Sequence, residues 1–115
     1  MKMLQTSIHE IETAAELEQI VKENENIMVS CGRMGPMCLP VYDIMEELED
    51  ERPNTKFYSM SFDTPEASPI RDASMCRGFM ALPFTVYYKN GEMVQATSSI
   101  QDREQITTIL DKDLS

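Results

Sequence analysis

The sequence predicts an α/β domain in which a mixed central sheet carries helices on both faces. Two observations lead to this prediction. Strand-like and helix-like segments alternate along the front half of the chain, which is typical of parallel strands joined by helices. The tail contains two strand-like segments separated by Asn90-Gly91, a dipeptide typical of a tight hairpin turn, and then a helix-like segment. A length of 115 residues favours one domain, residues 1–115.

The chain begins with a predicted strand and a predicted helix. Residues 6–11 alternate between polar and apolar side chains and indicate a short strand. Thr13 and Glu16 have the spacing of a capping box, which predicts that a helix begins here. Apolar residues then recur at helical spacing, so this first helix is expected to end near residue 23.

A second strand and a second helix follow. Residues 27–30 form a short apolar run that predicts a buried central strand, and residues 31–36 form a compact turn. Pro36 suits the first turn of a helix, because an N–H group at that position would have no partner within the helix. The predicted helix extends to Asp50. Its apolar face comprises four residues at helical spacing: Met37, Val41, Ile44 and Leu48.

The rest of the chain predicts three more strands and two more helices. Residues 56–62 indicate a strand by their aromatic content and alternation, and residues 69–78 suit a short helix. Residues 84–89 and 92–97 are expected to pair as the hairpin. Asp102 is then expected to cap the last helix, because its carboxylate can accept a hydrogen bond from a free N–H group of the first turn.

The composition limits the partners and the location of the protein. The formal net charge is −10, with 20 acidic and 10 basic residues, and an acidic surface repels the phosphates of nucleic acids. No apolar run approaches the roughly 18–20 residues that span a bilayer. The N-terminal segment, M-K-M-L-Q-T-S-I-H-E, lacks the apolar core of a secretion signal. We therefore expect a cytoplasmic protein without nucleic-acid or membrane partners.

One stretch carries a specific resemblance to a known family. Residues 81–92 read A-L-P-F-T-V-Y-Y-K-N-G-E, and this resembles the G-I-P-T-L-x-x-F-K-N-G-E stretch of the thioredoxin-like superfamily. Residues 27–29 resemble the strand that leads to the active site of that family. Residues 40–48 resemble the helix behind it, and residues 62–63 resemble the end of the next strand. The resemblance covers nearly the whole chain and implies the thioredoxin fold.

The resemblance also implies a binding surface. In the family, the proline of this stretch follows a cis peptide bond, faces the active site and lies beside the backbone that binds an extended substrate segment. The resemblance therefore implies a cis bond before Pro83 and a peptide-binding ledge formed by Leu82 and Pro83. Below, "the ledge" means these two residues.

The active-site motif of the family, W-C-G-P-C, is altered in this chain. Matching its Gly-Pro to residues 35–36 places methionine at both cysteine positions and Arg33 at the tryptophan. A second alignment matches residues 31–34, C-G-R-M, to C-G-P-C and keeps the attacking cysteine. We favour the first alignment because it keeps Gly-Pro intact and places the proline at a helix start. The substrate-binding residues then predicted beside the ledge are Met34, Gly35, Pro36 and Met37.

Any redox chemistry must therefore use Cys31, Cys38 or Cys76, since methionine forms neither a thiolate nor a disulfide. Cys31 and Cys38 flank the loop and are the catalytic candidates. Cys38 is predicted in the first turn of a helix, where the pKa of a thiol can be lowered. A disulfide between them requires Cα atoms within about 7 Å of each other. The alternative is that both are small buried hydrophobic residues. Cys76 is an accessory thiol that has no role or pairs with Cys31 or a partner protein.

Three functions follow from these residues. The first is an atypical thiol-disulfide oxidoreductase that acts on protein cysteines through Cys31 and Cys38, with a thioredoxin-type reductase as a further partner. The second, from another class, is a redox-silent module that binds a protein or peptide at the ledge. The third and weakest is Cu(I) binding by four soft sulfur ligands, Cys31, Met34, Met37 and Cys38. No resident cofactor or metal is predicted.

Overall fold

The computed structural model of the protein describes residues 3–114. Its strands are β1 (Glu10–Ile11), β2 (Asn26–Gly32), β3 (Lys56–Ser61), β4 (Phe84–Lys89) and β5 (Glu92–Ser98). Its helices are α1 (Ala14–Glu23), α2 (Leu39–Glu51), α3 (Ser68–Arg71) and α4 (Arg103–Asp113). Two short 3-10 turns, Pro65–Ala67 and Ser74–Cys76, flank α3.

The strands form one mixed sheet in the order β1-β3-β2-β4-β5. β3 pairs in parallel with both β1 and β2, whereas β4 is antiparallel to β2 and to β5. Every residue of the central strand β2 is buried. This burial agrees with the apolar run that predicts a central strand, because a strand covered on both faces has no polar side to show to water.

The helices cover the two faces of the sheet in pairs. Residues of α2 and α4 pack on one face, in a core that includes Tyr42, Leu48 and Ile106. Residues of α1 and α3 pack on the other face, in a core that includes Leu17 and Ile70. The predicted mixed sheet with helices on both faces is therefore confirmed.

Successive residues of β2 point to opposite faces, as the strand geometry requires. Met28 belongs to the core beneath α2 and α4. Ile27, Val29 and Cys31 belong to the core beneath α1 and α3. Ser30 and Gly32 alternate with these residues, so they face α2 and α4. This alternation places Cys31 on the face opposite that of Gly32.

Side-chain caps fix the starts of two helices, α1 and α4, at the predicted positions. The Thr13 hydroxyl accepts a hydrogen bond from the backbone N–H of Glu16 at 3.0 Å, at the start of α1. Asp102 and Gln105 form a complete capping box at the start of α4. Each signal lies within a few consecutive residues, which is why the sequence alone predicts it.

The hairpin between β4 and β5 also has the predicted turn. Asn90 and Gly91 have positive φ values of 54° and 86°. A two-residue turn of this kind needs positive φ at both central positions, and asparagine and glycine adopt that conformation most readily.

Helix α2 begins later than predicted. The backbone N–H groups of Cys38 and Leu39 donate to the Gly35 carbonyl at 3.0 and 3.1 Å, so a turn closes before the helix starts. Pro40, and not Pro36, occupies the early helical position in which a missing N–H is tolerated. Met37 therefore lies outside the helix and is 41% exposed, which corrects its predicted place on the buried face.

The α2 core face also differs by one residue from the prediction. The buried side chains of α2 are Val41, Tyr42, Met45 and Leu48. Ile44 is only partly buried and packs at the margin of that core. The later helix start does not alter the helical phase, so Val41 and Leu48 keep their predicted positions.

Two other predicted elements are shorter in the structure. Residues 69–78 form no single helix: α3 has four residues, and the turn Ser74–Cys76 follows separately. The predicted strand at residues 6–11 is reduced to β1, which has two residues. Carboxylates hold the chain before β1 instead: Glu10 accepts the N–H groups of Met3 and Leu4, both at 2.9 Å, and Glu46 accepts the N–H of Ser7 at 3.2 Å.

None of the helices in residues 3–114 has the length and apolar character needed to cross a bilayer.

Candidate functional site

The ledge lies where β2 ends and β4 begins, and Gly32 makes its packing possible. The Leu82–Pro83 peptide bond is cis. A Cβ atom at position 32 would lie 2.8 Å from Cys38 Sγ, 3.0 Å from Pro83 Cβ and 3.3 Å from the Tyr42 hydroxyl. Contacts of 2.8 Å do not occur for real Cβ atoms. A residue without a side chain is therefore favoured at this position, and no motif in the sequence indicates it.

Cys38 is the N-cap residue of α2, and its sulfur points into this contact. Its side chain is 2% exposed. The Arg33 backbone N–H donates a hydrogen bond to Cys38 Sγ at 3.4 Å. The Tyr42 hydroxyl donates to the Arg33 carbonyl at 3.2 Å and closes the other side of the loop. The thiol is thus held inside the loop beside Pro83.

Cys31 lies on the other face of the sheet. It is fully buried among Met60, Ile70 and Phe84, beneath α1 and α3. Burial raises the pKa of the Cys31 thiol from 9.0 to about 12, although the nearby Arg71 guanidinium partly opposes this shift. At neutral pH this thiol is overwhelmingly protonated, and a protonated thiol is a poor nucleophile.

Cys76 occupies the same core as Cys31. It is 3% exposed, and burial raises the pKa of its thiol. All three cysteines are free. A Cys31–Cys38 disulfide is therefore not formed, which corrects that possibility, because β2 directs Cys31 beneath one face while Cys38 packs on Gly32 at the other. Their catalytic role remains a prediction.

The two methionines of the loop between Cys31 and Cys38 lie in different environments. Met34 is half-buried, and its Sδ accepts the N–H of Gln5 at 3.2 Å. Pro36 and Met37 are exposed. Of the four sulfur ligands predicted for Cu(I), Cys31 lies beneath the other face of the sheet and Met37 is exposed, so these two lie in different surroundings from Cys38. Within residues 3–114, no group of three or more histidine, cysteine, aspartate or glutamate side chains is placed to hold a metal ion.

A charged and aromatic cluster joins the ends of β2 and β3. Arg33 and Asp63 form a bidentate ion pair with Nη2–Oδ1 and Nε–Oδ2 distances of 2.7 and 2.8 Å. The guanidinium groups of Arg33 and Arg71 each lie 5.6 Å from the centroid of the Phe62 ring. Arg71 Nη1 also donates to the Phe62 and Thr64 carbonyls, both at 2.6 Å. This cluster fixes the loop after β3 beside the loop after β2.

The parallel pairing of β2 and β3 was the signal that could have identified this cluster. Gly32 is the partner of Ser61 in the register. Residues just beyond two paired parallel strands emerge at the same sheet edge, so Arg33 and Asp63 meet there. Arg33 and Asp63 are 30 residues apart in the chain, so no local pattern in the sequence joins them.

The ion pair predicts a specific dependence of stability on pH. The Arg33 hydrogen bonds lower the pKa of Asp63 below 3.8. The pair therefore stabilises the folded state above that value, and its contribution is lost as the pH falls through the lower folded-state pKa. Both side chains are largely exposed, so we expect a small effect.

Chemical denaturation between pH 7 and about pH 2.5 measures this effect. The unfolding free energies of the wild type and of Asp63→Asn should differ at pH 7 and converge at the acid end. Arg33→Gln should reproduce the loss at neutral pH. A constant difference across the range would show that Asp63 acts by packing and not by charge.

The ledge is bordered by exposed apolar side chains. Leu82 is partly buried and packs against both cores. Met80, two residues before it, is 96% exposed, and Leu39, next to Cys38, is 40% exposed. Together with Met37, these residues form what we call the apolar rim: Met37, Leu39 and Met80. Single exposed apolar residues are ordinary, but three within a few residues of the ledge and of Cys38 indicate a contact surface.

These features define a single-sheet α/β protein with the thioredoxin fold. The solved structures it resembles include oxidised thioredoxin from Plasmodium falciparum (TM-score 0.75, 18% identity, 95% of this chain and 100% of that chain covered). Mitochondrial thioredoxin 3 from Saccharomyces cerevisiae gives a TM-score of 0.73 at 18% identity, covering 91% of this chain and 95% of that one. A thioredoxin from Malassezia sympodialis gives 0.75 at 14% identity, covering 100% and 97%.

The thioredoxin fold implied by the sequence resemblance is confirmed by these likenesses. Comparisons with protein-family models and with curated protein sequences find no match. At identities of 14–18%, the structural likeness establishes the fold and not an activity. The activity has to be argued from this chain's own residues.

Proposed function

We propose that the protein is a thioredoxin-fold binding module that holds an extended protein or peptide segment at the ledge and performs no thiol-disulfide exchange. One contrast carries the proposal. All three thiols are buried, whereas the apolar rim beside the ledge is exposed. The site therefore offers contact area without a reactive group.

The position of the thiols argues against exchange. An attacking thiol must reach a substrate disulfide in line and must ionise. Cys31 does neither, since it is fully buried and has a pKa of about 12. Cys38 is 2% exposed and has no cysteine neighbour on its own face of the sheet to resolve a mixed disulfide.

The exposed side chains favour binding of a peptide. Methionine is flexible and polarizable, so it adapts to differently shaped apolar partners. Methionine is also enriched at protein interfaces relative to other surfaces. We expect an extended segment to place its backbone along the ledge and an apolar side chain on the apolar rim. In the recognition of extended peptides, main-chain hydrogen bonds give affinity and side-chain contacts give specificity.

We expect Met80→Ser to weaken peptide binding about tenfold, because burying one methionine side chain contributes on the order of 1.5 kcal/mol. The probe is a peptide selected from a random displayed library on the wild-type protein, and the measurement is its dissociation constant by calorimetry. Met3→Ser is the matched control: Met3 is 49% exposed, and its N–H is held by Glu10 of β1, which is separated from β2 by β3 in the sheet.

Equal affinities for the wild type and Met80→Ser would overturn the placement of the peptide. Failure to select any peptide whose binding depends on the ledge or on the apolar rim would overturn the proposed function itself. Loss of binding in Met3→Ser but not in Met80→Ser would move the site to the N-terminal segment.

A second candidate function is thiol-disulfide exchange through Cys38, with Cys31 as its predicted partner. One observation favours it: Cys38 is the N-cap residue of a 13-residue helix, and its sulfur accepts a hydrogen bond from the Arg33 backbone N–H. The partners would then be a protein disulfide and a thioredoxin-type reductase.

Insulin reduction driven by dithiothreitol separates the two candidates. We expect the rate to equal that of a blank without protein. A faster rate that Cys38→Ser abolishes would establish exchange and would overturn the binding-only proposal.

A further inference from the structure

Four hydroxyl side chains lie side by side across the sheet. The strand register pairs Ser59 with Ser30, Ser30 with Thr85, and Thr85 with Thr97. All four face α2 and α4, because they alternate with residues of the other core along their strands. Ser59, Ser30 and Thr85 are fully buried. We call this set the hydroxyl row.

The protein supplies hydrogen-bond partners for only part of the hydroxyl row. The Ser59 hydroxyl lies 3.3 Å from the backbone carbonyl oxygens of both Ile8 and His9 and shares its one proton between them. The hydroxyls of Ser30, Thr85 and Thr97 are buried and have no hydrogen-bond partner among the described residues. A buried hydroxyl without a partner is unfavourable, and such groups in proteins are nearly always satisfied by the chain or by ordered water.

Water can link two facing hydroxyls that the protein leaves without a direct hydrogen bond. Side chains that face each other on antiparallel strands have Cβ atoms about 4.5–5.5 Å apart. The Ser30 and Thr85 hydroxyls make no direct hydrogen bond, and one water molecule can donate to one oxygen and accept from the other. Thr97 lies on the edge strand β5 and is partly exposed as a residue, so the row leads from the centre of the sheet to its margin.

The row lies directly beneath the ledge. Ser30 precedes Gly32 by two residues on the same face of β2, and Gly32 is in contact with the Cys38 sulfur and Pro83. Thr85 follows Pro83 by two residues at the start of β4. The hydroxyls of Ser30 and Thr85 are thus the next pair of side chains below the packed contact on which the ledge rests.

We propose that Ser30, Thr85 and Thr97 form an internal water-binding site beneath the ledge. Ser30 and Thr85 hold one water molecule between them, and Thr97 continues the hydrogen-bonded path towards the sheet edge. The ligand class is water, and no bond is made or broken. The buried water supplies the hydrogen bonds that the protein does not, and it joins β2 to β4 through their side chains at the point where the ledge leaves the sheet.

A high-resolution crystal structure and water-to-amide magnetisation transfer by NMR test this proposal. We expect a water oxygen within about 3.2 Å of both Ser30 Oγ and Thr85 Oγ1. We also expect magnetisation transfer from water to the amides of residues 30 and 85. The double substitution Ser30→Ala with Thr85→Val should abolish both signals, whereas Thr85→Ser, which keeps the hydroxyl, should retain them.

Ser59→Ala is the matched control, because it removes a hydroxyl of the same row whose hydrogen bonds are made to the backbone. It should leave the bound water in place. Absence of water density, with the hydroxyls donating to backbone carbonyls instead, would overturn the proposal. Magnetisation transfer from water that persists in the double variant would also overturn it. If the double variant does not fold, the wild-type density and the Thr85→Ser protein decide the question.

Discussion

In the native protein, the three thiols should react with Ellman's reagent far more slowly than a free cysteine. Burial raises the pKa of Cys31 from 9.0 to about 12, which lowers its thiolate population about a thousandfold. Cys38 and Cys76 are 2% and 3% exposed, so the reagent reaches them only when the structure opens locally. The observed rates should therefore follow the opening of the fold.

Thiol counting with and without guanidinium chloride provides the measurement. All three thiols should react rapidly once the chain is unfolded. Single serine substitutions at Cys31, Cys38 and Cys76 assign any thiol that reacts in the native state. A fast native reaction that disappears only in Cys38→Ser would contradict the burial argument and would favour exchange at the start of α2.

Gly32→Ala should lower the free energy of unfolding by about 1–3 kcal/mol, which is typical of overpacking in a close-packed core. The added Cβ atom would lie 2.8 Å from Cys38 Sγ and 3.0 Å from Pro83 Cβ. The proline ring is attached to a backbone held by β4, so it cannot move aside as a flexible side-chain end could. Denaturant unfolding measures the change in free energy.

Gly35→Ala is the matched control, because a Cβ atom at position 35 would meet no atom within 4 Å. We expect its unfolding free energy to be within about 0.5 kcal/mol of the wild type. Adding Cys38→Ala to Gly32→Ala should recover part of the loss, since it removes the shortest of the three close contacts, and a double-mutant cycle isolates that coupling. Equal stability of Gly32→Ala and Gly35→Ala would show that the loop relaxes freely.

Elements with local signals were predicted well. The start of α1 at Thr13, the hairpin turn and the capping box of α4 each depend on a few consecutive residues. Their chemistry acts within one turn of chain, so the sequence contains all that is needed. The same holds for the central strand, whose apolar run indicates burial on both faces.

Elements that depend on distant partners were predicted less well. The segment before β1 alternates like a strand, yet it is held by the carboxylates of Glu10 and Glu46. Pro36 and Pro40 both have residues around them that suit a helix start, and the hydrogen bonds to the Gly35 carbonyl decide between them. Propensity alone cannot rank two such starts, because the choice depends on what the loop packs against.

By itself, the sequence determined the class of fold and the order of strands and helices along the chain. Tertiary structure alone decided what the remaining thiols can do. Cys31 and Cys38 are close in sequence, but strand β2 continues through Gly32 and directs Cys31 beneath α1 and α3, while Cys38 packs against Gly32 on the other face. The physical reason is the two-residue period of a strand: one step along the backbone reverses the face, and the sheet separates the sulfur atoms.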